Sequence, residues 1–387
     1  MEVVLPLEKS PLCDAYSRKK KEQNFYNLNL CSCSKCGFVQ IDAVVNPREI
    51  YRDYIYVTTS SSGLKSHFRD YAQEVCSLLN LYSSDLTVDI GSNDGTLLEF
   101  FKRQGHKVLG IEPSGKAAKI ASSNGVFTIP EFFDLTLAQG VEKSYGRAEL
   151  ITINNLFANV DDLNSFVEGI DLLLAEEGVL IIESSYLLDM IENMVFDFIY
   201  HEHLSYFSIQ PLQLFFKRFN MRLIRVQNIK TKGGSLRYFF ARENSKWDED
   251  LSVKRMLEKE IQTTEDKDMF VNFESKINLV GDQLVNFLKK YKGKNIVGYG
   301  ASATSTTLIS HFGLDKYLSY LVDDNPDKIS TYSPGYHLPV FGSGKIKEDQ
   351  PDVVIILAWR YKDEIINKIS NNSSVIVIPL PEFRVVN

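Results

Sequence analysis

VDIGSNDGT, residues Val88 to Thr96, is the stretch on which the fold turns. The apolar run LTVDI leads into a turn containing Gly91 and Gly95, and the amphipathic LLEFFKRQG follows. Strand, glycine turn and helix open an α/β unit, and two positions without side chains let the backbone approach a ligand closely. Downstream come the strand KVLGIEP, a helix over 116–123, the strands VFTIP and AELITINNLF, a helix over 163–174 and the strand GVLIIES. Strand and helix alternate for about 100 residues, the pattern of a doubly wound parallel sheet. MRLIRVQNI and GGSLRYFFAR then read as a closing hairpin.

Outward from this core, apolar positions at helical spacing (Phe68, Tyr71, Val75, Leu78 and Leu79) predict a helix over 67–81. Residues 251–290 lack proline and predict one or two connecting helices. A second α/β unit follows, in NIVGYG, ASATSTTLIS, LSYLVDD, PDVVIILAWR and SVIVIPLP. The first 60 or so residues are turn-like and cysteine-rich. The expected fold is therefore α/β: two Rossmann-like doubly wound units and a small N-terminal cysteine-containing module. The expected boundaries are 1–62 for the module, 63–250 for the first unit, 251–290 for the connecting helices and 291–387 for the second unit.

Composition narrows the function. The chain has 387 residues and a net charge of −7, which argues against a broad nucleic-acid surface, since such surfaces need clustered Lys and Arg. No run of 18 uncharged apolar residues predicts a membrane span, and MEVVLPLEKS does not read as a leader, so a cytoplasmic protein is expected. Of five cysteines, Cys31, Cys33 and Cys36 fall within six residues, a spacing that points to metal or to nothing rather than to disulfides. Cys76 reads as a small buried hydrophobe on its helix.

In a doubly wound sheet the ligand lies beyond the carboxyl ends of the strands, and an acid about 20 residues after the turn receives ribose hydroxyls. Glu112 stands there. A dinucleotide turn would read G-x-G-x-x-G. This one has another spacing and carries Asp94, which would repel a pyrophosphate but suits the sulfonium and ammonium of S-adenosylmethionine. Asp89, Gly91, Ser92, Asn93, Asp94, Gly95 and Glu112 are the candidate cofactor residues. Further on, FDFIYHEHLSYFS gathers Tyr200, His201, Glu202, His203 and Tyr206. Histidine suits proton abstraction next to a carbonyl, because its pKa lies near neutrality. Metal binding by His201 and His203, or ordinary structural roles, remain open from composition alone.

LNLCSCSKCGFVQ, YIYVTTSSS, VDIGSNDGTLL, YHEHLSYFS, GGSLRYF, GYGASATSTTL, VDDNPDKISTYSPGYHLPV and AWRYKDEII occur in one order along the chain. With them the sequence resembles the nucleotide-sugar C-methyltransferases, which place a methyl on C3 of a 4-keto deoxysugar. The resemblance implies S-adenosylmethionine as cofactor and a nucleotide-linked keto sugar as partner. It implies His203 as the base at C3, Glu202 and Tyr200 as its neighbours, and Tyr54 or Tyr56 on the sugar. Within NLFANV, Asn155 joins the cofactor set, and Asn159 stands where the family carries a further histidine. Asn159 can hydrogen bond but cannot take a proton.

The family's N-terminal module has two C-x-x-C pairs for zinc. Cys33 and Cys36 match the second pair, and Cys13 and Cys31 are the only nearby substitutes for the first, so weak zinc binding or none is expected. The resemblance makes the unit at GYGAS, Gly298 to Ser302, an enclosure for the nucleotide sugar without a redox cofactor. Read alone, with Asp323 and Asp324 downstream, it would also allow a nicotinamide-dependent oxidoreductase. Sugar O- or N-methylation on the same scaffold, or silent binding of a sugar nucleotide, would also be compatible with these residues.

Overall fold

The structure is a computed structural model that describes residues 1–51, 63–229, 233–370 and 373–386. Tyr54 and Tyr56 lie outside the described residues. The chain forms two compact units interleaved in sequence. One comprises Met1–Asn46, Leu187–Tyr206 and Thr263–Asn387, and the other Pro47–Tyr186 and Phe207–Gln262.

In the second of these, the described residues form a seven-stranded sheet. Its order is Met221–Ile229, Ser235–Arg242, Leu174–Ser185, Ala148–Asn154, Leu86–Ile90, Lys107–Ile111 and Thr128–Ile129. The last five are mutually parallel, and Ser235–Arg242 runs antiparallel between Leu174–Ser185 and Met221–Ile229. Strand order reverses beside Leu86–Ile90, so the turn after it opens at the topological switch point, where such sheets bind ligands. All five residues of that strand are buried, as a strand covered on both faces requires.

The helix Leu64–Leu79 buries Leu64, Phe68, Tyr71, Ala72, Val75 and Leu79 on one stripe. This stripe joins Leu97, Phe101, Leu150, Ile181 and Phe239 in one core. Each large apolar side chain removed from water there contributes roughly 1.5–3 kcal/mol. Phe207, Phe157, Phe216 and Phe240 form a continuous aromatic column, with centroids 5.1, 5.9 and 4.0 Å apart. The column anchors the short 3-10 turn Phe157–Asn159.

The other unit contains two sheets among its described residues. Glu2–Leu5, Leu30–Ser32 and Val39–Ile41 pair antiparallel, and Ser205–Tyr206 adds a fourth strand beside Val39–Ile41. Strands this short carry too few residues for a period-two pattern, so the sequence shows only turns. The C-terminal sheet has the order Val340–Gly342, Tyr320–Asp323, Ile296–Tyr299, Val353–Ile356, Val375–Ile378 and Arg384–Val386. Only the last strand is antiparallel. Counted along the chain, that is 3-2-1-4-5-6, with its reversal between Ile296–Tyr299 and Val353–Ile356. Residues 251–290 form two helices, Leu251–Thr264 and Met269–Lys289. Among the described residues, no helix is long and apolar enough to cross a membrane.

Candidate functional site

The glycine turn has an unusual backbone. Gly91, Asn93 and Gly95 take φ of 77°, 48° and 77°, left-handed values that only glycine, and asparagine at some cost, adopt readily. Space matters as well: a Cβ on Gly91 would come within 2.8 Å of the Leu156 side chain, and one on Gly95 within 2.9 Å of Ala121. Asp94 Oδ1 accepts from the Thr96 amide and hydroxyl at 3.2 and 2.6 Å, which satisfies an amide at the start of the helix Thr96–Arg103.

Glu112 faces this turn from the end of Lys107–Ile111. Its Oε2 accepts from the Asn93 amide at 3.0 Å and its Oε1 from the Ser114 amide at 2.7 Å. A carboxylate has about four lone-pair sites, so two remain for hydroxyls. Burial pushes the carboxyl above its ordinary range, with Asp94 adding to the rise and the two backbone bonds opposing it. Asp323 in the C-terminal sheet repeats the arrangement, accepting from Ala301 and Asn325 amides at 2.6 and 2.8 Å.

Asp89 lies beneath the turn, fully buried. Thr152 Oγ1 donates to it at 2.7 Å and Asn154 Nδ2 at 3.3 Å. Burial pushes its carboxyl up to about 7, only partly offset by those two bonds and aggravated by the Glu112 charge. Nearby, the buried Ser92 Oγ and Asn154 Oδ1 have no hydrogen-bond partner among the described residues. Asn155, at φ 54°, donates its amide to Glu183 O at 2.8 Å. The buried acidic side chains of Asp89, Asp94 and Glu112, polar atoms without partners among the described residues and a turn with two positions lacking side chains fit a cationic ligand with ribose hydroxyls. Thr152 and Asn154 escape the sequence reading; the only signal is the polar pair closing an apolar strand.

Two outcomes follow from this geometry. Removal of the charge-assisted bonds of Glu112 should cost roughly 1.5–3 kcal/mol, so Glu112→Ala is expected to weaken S-adenosylmethionine binding about tenfold or more by calorimetry. An unchanged Kd would remove Glu112 from the cofactor site. Asp89 predicts a pH dependence. Its folded carboxyl holds a proton to about pH 7 against 3.8 ordinarily, so its contribution to stability is complete below about pH 4 and is lost as pH rises through about 7. Unfolding of the cofactor-free protein between pH 5 and 8 should therefore show a decline that is shallower in Asp89→Asn, and parallel curves would refute it.

The histidine segment belongs to the other unit. It consists of a 3-10 turn, Phe196–Phe198, irregular chain, and the strand Ser205–Tyr206. His203 Nδ1 lies 3.0 Å from Phe198 O. A carbonyl can only accept, so Nδ1 carries the proton and Nε2 the lone pair of the neutral ring. Tyr200 Oη lies 3.3 Å from Nε2, with ring centroids 4.3 Å apart. Burial, with the Glu202 charge adding, raises the Tyr200 phenol well above its usual value, so it stays a donor.

His201 serves differently: its Nε2–H donates to Asn27 O at 3.0 Å, beside Tyr26, and burial lowers its pKa. The two histidines have separate partners. Asn159 ends its 3-10 turn, its amide donating to Leu156 O at 2.7 Å.

Cys33 and Cys36 adjoin on a tight turn, and hydrogen bonds from Cys36 and Lys35 lower the Cys33 thiol pKa. Cys31 is buried in its strand. Cys13 is buried near Ser10 Oγ at 3.7 Å and Thr307 Oγ1 at 3.8 Å, and burial pushes its thiol up to about 12. Among the described residues, no three His, Cys, Asp or Glu side chains gather as a metal set. Cys76 is half-buried rather than enclosed, with Sγ 3.2 Å from His106 Nε2.

Comparison with known proteins finds three family models along the chain. A model described as "Methyltransferase domain" matches residues 67–226, and one described as "C-methyltransferase C-terminal domain" matches 230–381. A third, described as "Putative zinc binding domain", matches residues 1–51. C-methyltransferase NovU of Streptomyces niveus is 28% identical over 372 residues, covering 94% of this chain and 89% of its own. Among solved structures, a SAM-dependent methyltransferase of Anabaena variabilis is 12% identical with a TM-score of 0.39, covering 52% of this chain and 99% of that one. Magnesium protoporphyrin IX methyltransferase of Synechocystis, with bound SAH, is 15% identical with a TM-score of 0.37, covering 50% of this chain and 91% of that one.

Proposed function

We propose that this chain is an S-adenosylmethionine-dependent C-methyltransferase and that it methylates C3 of a nucleotide-linked 4-keto deoxysugar, with His203 as the base. The observation that carries the reading is the His203 tautomer: Nδ1–H engaged by Phe198 O leaves Nε2 as the proton acceptor. A ketone at C4 acidifies the proton on C3. His203 Nε2 takes that proton, the C3–H electron pair forms a C3–C4 double bond as charge passes to the C4 oxygen, and C3 would then take the methyl as the methyl–sulfur bond breaks with its pair left on sulfur. Tyr200, kept protonated by burial, donates to the imidazole or to developing oxygen charge. Glu202 adjoins the same segment and stabilises the imidazolium electrostatically. The cofactor, when bound, supplies an electrophilic methyl on a sulfonium.

The turn from Gly91 to Gly95 with Asp89, Glu112 and Asn155 is assigned to the cofactor. Tyr54 or Tyr56 is assigned to the sugar on the strength of the resemblance alone. Asn159 supplies hydrogen bonding in place of a second base. The test is product structure. Incubation with S-adenosylmethionine and a panel of 4-keto nucleotide sugars should yield a sugar whose new methyl sits on carbon C3 by NMR. A methyl on oxygen, or on nitrogen, overturns the reading.

A further inference from the structure

The AWRYKDEII motif is left unexplained by the chemistry above, and its first residues reach the histidine segment within the same unit. Trp359 and Arg360 follow the strand Val353–Ile356 of the C-terminal sheet. Trp359 Nε1–H donates to Asp197 Oδ2 at 3.0 Å, and Arg360 Nη1 pairs with Asp197 Oδ1 at 3.1 Å. Asp197 is fully enclosed. The Arg360 guanidinium also lies over the Phe198 ring, 4.4 Å from its centroid, and 4.8 Å from that of Trp359. One residue on, Thr307 Oγ1 donates to Ile199 O at 3.0 Å. Three successive residues are thus tied down: Asp197 by its carboxylate, Phe198 by its ring and Ile199 by its carbonyl.

The middle residue matters most. The Phe198 carbonyl that accepts from His203 Nδ1 also accepts from Tyr206 Oη at 3.4 Å. Residues 199–204 form no regular helix or strand, so their own backbone ladder does not fix where that carbonyl points. A buried ion pair is weak evidence for stability, since desolvation offsets its attraction, and setting a register is its best-attested use. We propose that Asp197, Trp359 and Arg360 are positioning residues that hold the Phe198 carbonyl against His203 and thereby keep the ring in its Nδ1–H tautomer. Their effect on turnover rests on the reading of His203 as the base; their effect on the tautomer does not.

The experiment uses the full chain labelled with 15N-histidine, His203 being assigned by the signal lost in His203→Asn. In wild type the His203 Nδ1 resonance should be that of a protonated nitrogen. In Arg360→Met and Trp359→Phe, both milder than Asp197→Asn, it should move towards a mixture of tautomers. Turnover should fall about ten- to a hundredfold, the scale of a small misplacement of a reacting group. KM and S-adenosylmethionine affinity should change little, and Arg360→Lys should recover part of the loss. Folded Arg360→Met and Trp359→Phe proteins whose His203 resonances match wild type would overturn the proposal. Shifted resonances with wild-type turnover would support the positioning and sink His203 as the base.

Discussion

Replacing His203 by alanine is expected to lower turnover at least about a hundredfold, the low end of what a positioned general base contributes, while S-adenosylmethionine binding stays normal. The reason lies in the order of events. On the proposed mechanism a carbon nucleophile must be made before a methyl can move, and without Nε2 the C3 proton would have no acceptor of suitable basicity. Glu202 does not substitute, being a much weaker base than imidazole, nor does Tyr200, whose phenol is held protonated by burial. Solvent exchange isolates the step. In deuterated buffer without S-adenosylmethionine, wild type should wash deuterium into C3 of the ketosugar and His203→Ala should do so far more slowly. Equal washout rates would discard the mechanism, even if methylation were impaired for another reason.

The largest stability effect should come from Glu183, on the strand Leu174–Ser185. Its carboxylate accepts from His67 Nε2 at 2.7 Å and from Arg237 Nε and Nη2 at 3.0 and 2.8 Å. Arg237 is itself enclosed, with its guanidinium 3.6 Å from the Tyr71 ring centroid and Nη1 bonded to Gln227 Oε1 at 3.1 Å. Burial alone would raise the Glu183 carboxyl, but the His67 bond and the Arg237 charge outweigh it and hold the group below its usual range. Glu183→Ala leaves the buried guanidinium with only the half-exposed Glu74 carboxylate, 3.4 Å from Nη1, and should cost roughly 3–5 kcal/mol in denaturant unfolding. A Glu183→Leu/Arg237→Met pair should recover much of that, because it removes both desolvated charges. A single variant within about 1 kcal/mol of wild type would show that water reaches the pair and that the network contributes little.

The GGSLRYF motif acquires a physical reason from this network: Arg237 is the cation that a buried strand carboxylate requires. Its partner could not be read from the sequence, since 54 residues separate Arg237 from Glu183. The candidate cofactor turn was far more legible. Gly91 and Gly95 announce themselves because the local backbone needs left-handed φ there, and Glu112 is reached by counting along one βαβ unit. Thr152 and Asn154 were not legible, because their role depends on the neighbouring parallel strand. The helices Leu135–Tyr145 and Ile209–Lys217 also went unread. The second begins against Glu260, whose carboxylate accepts from the Ile209 and Gln210 amides at 2.7 and 2.8 Å, a cap supplied from 50 residues away.

By itself the sequence determined the α/β class, the two doubly wound sheets and the glycine turn, since hydrophobic period and turn chemistry are local and survive without a partner in view. The tertiary structure alone decided that Leu187–Tyr206 folds with the N-terminal and C-terminal segments rather than with the sheet it follows. It also decided that His201 and His203 part ways, one to Asn27 and the other to Phe198, although they are two residues apart. A ring nitrogen has no preferred role until a carbonyl claims its neighbour, and the turn bearing the Phe198 carbonyl is held by Arg360, 163 residues from Asp197 in the chain. Hydrogen-bond direction and ion pairing across such separations are set by packing, which no window of sequence contains.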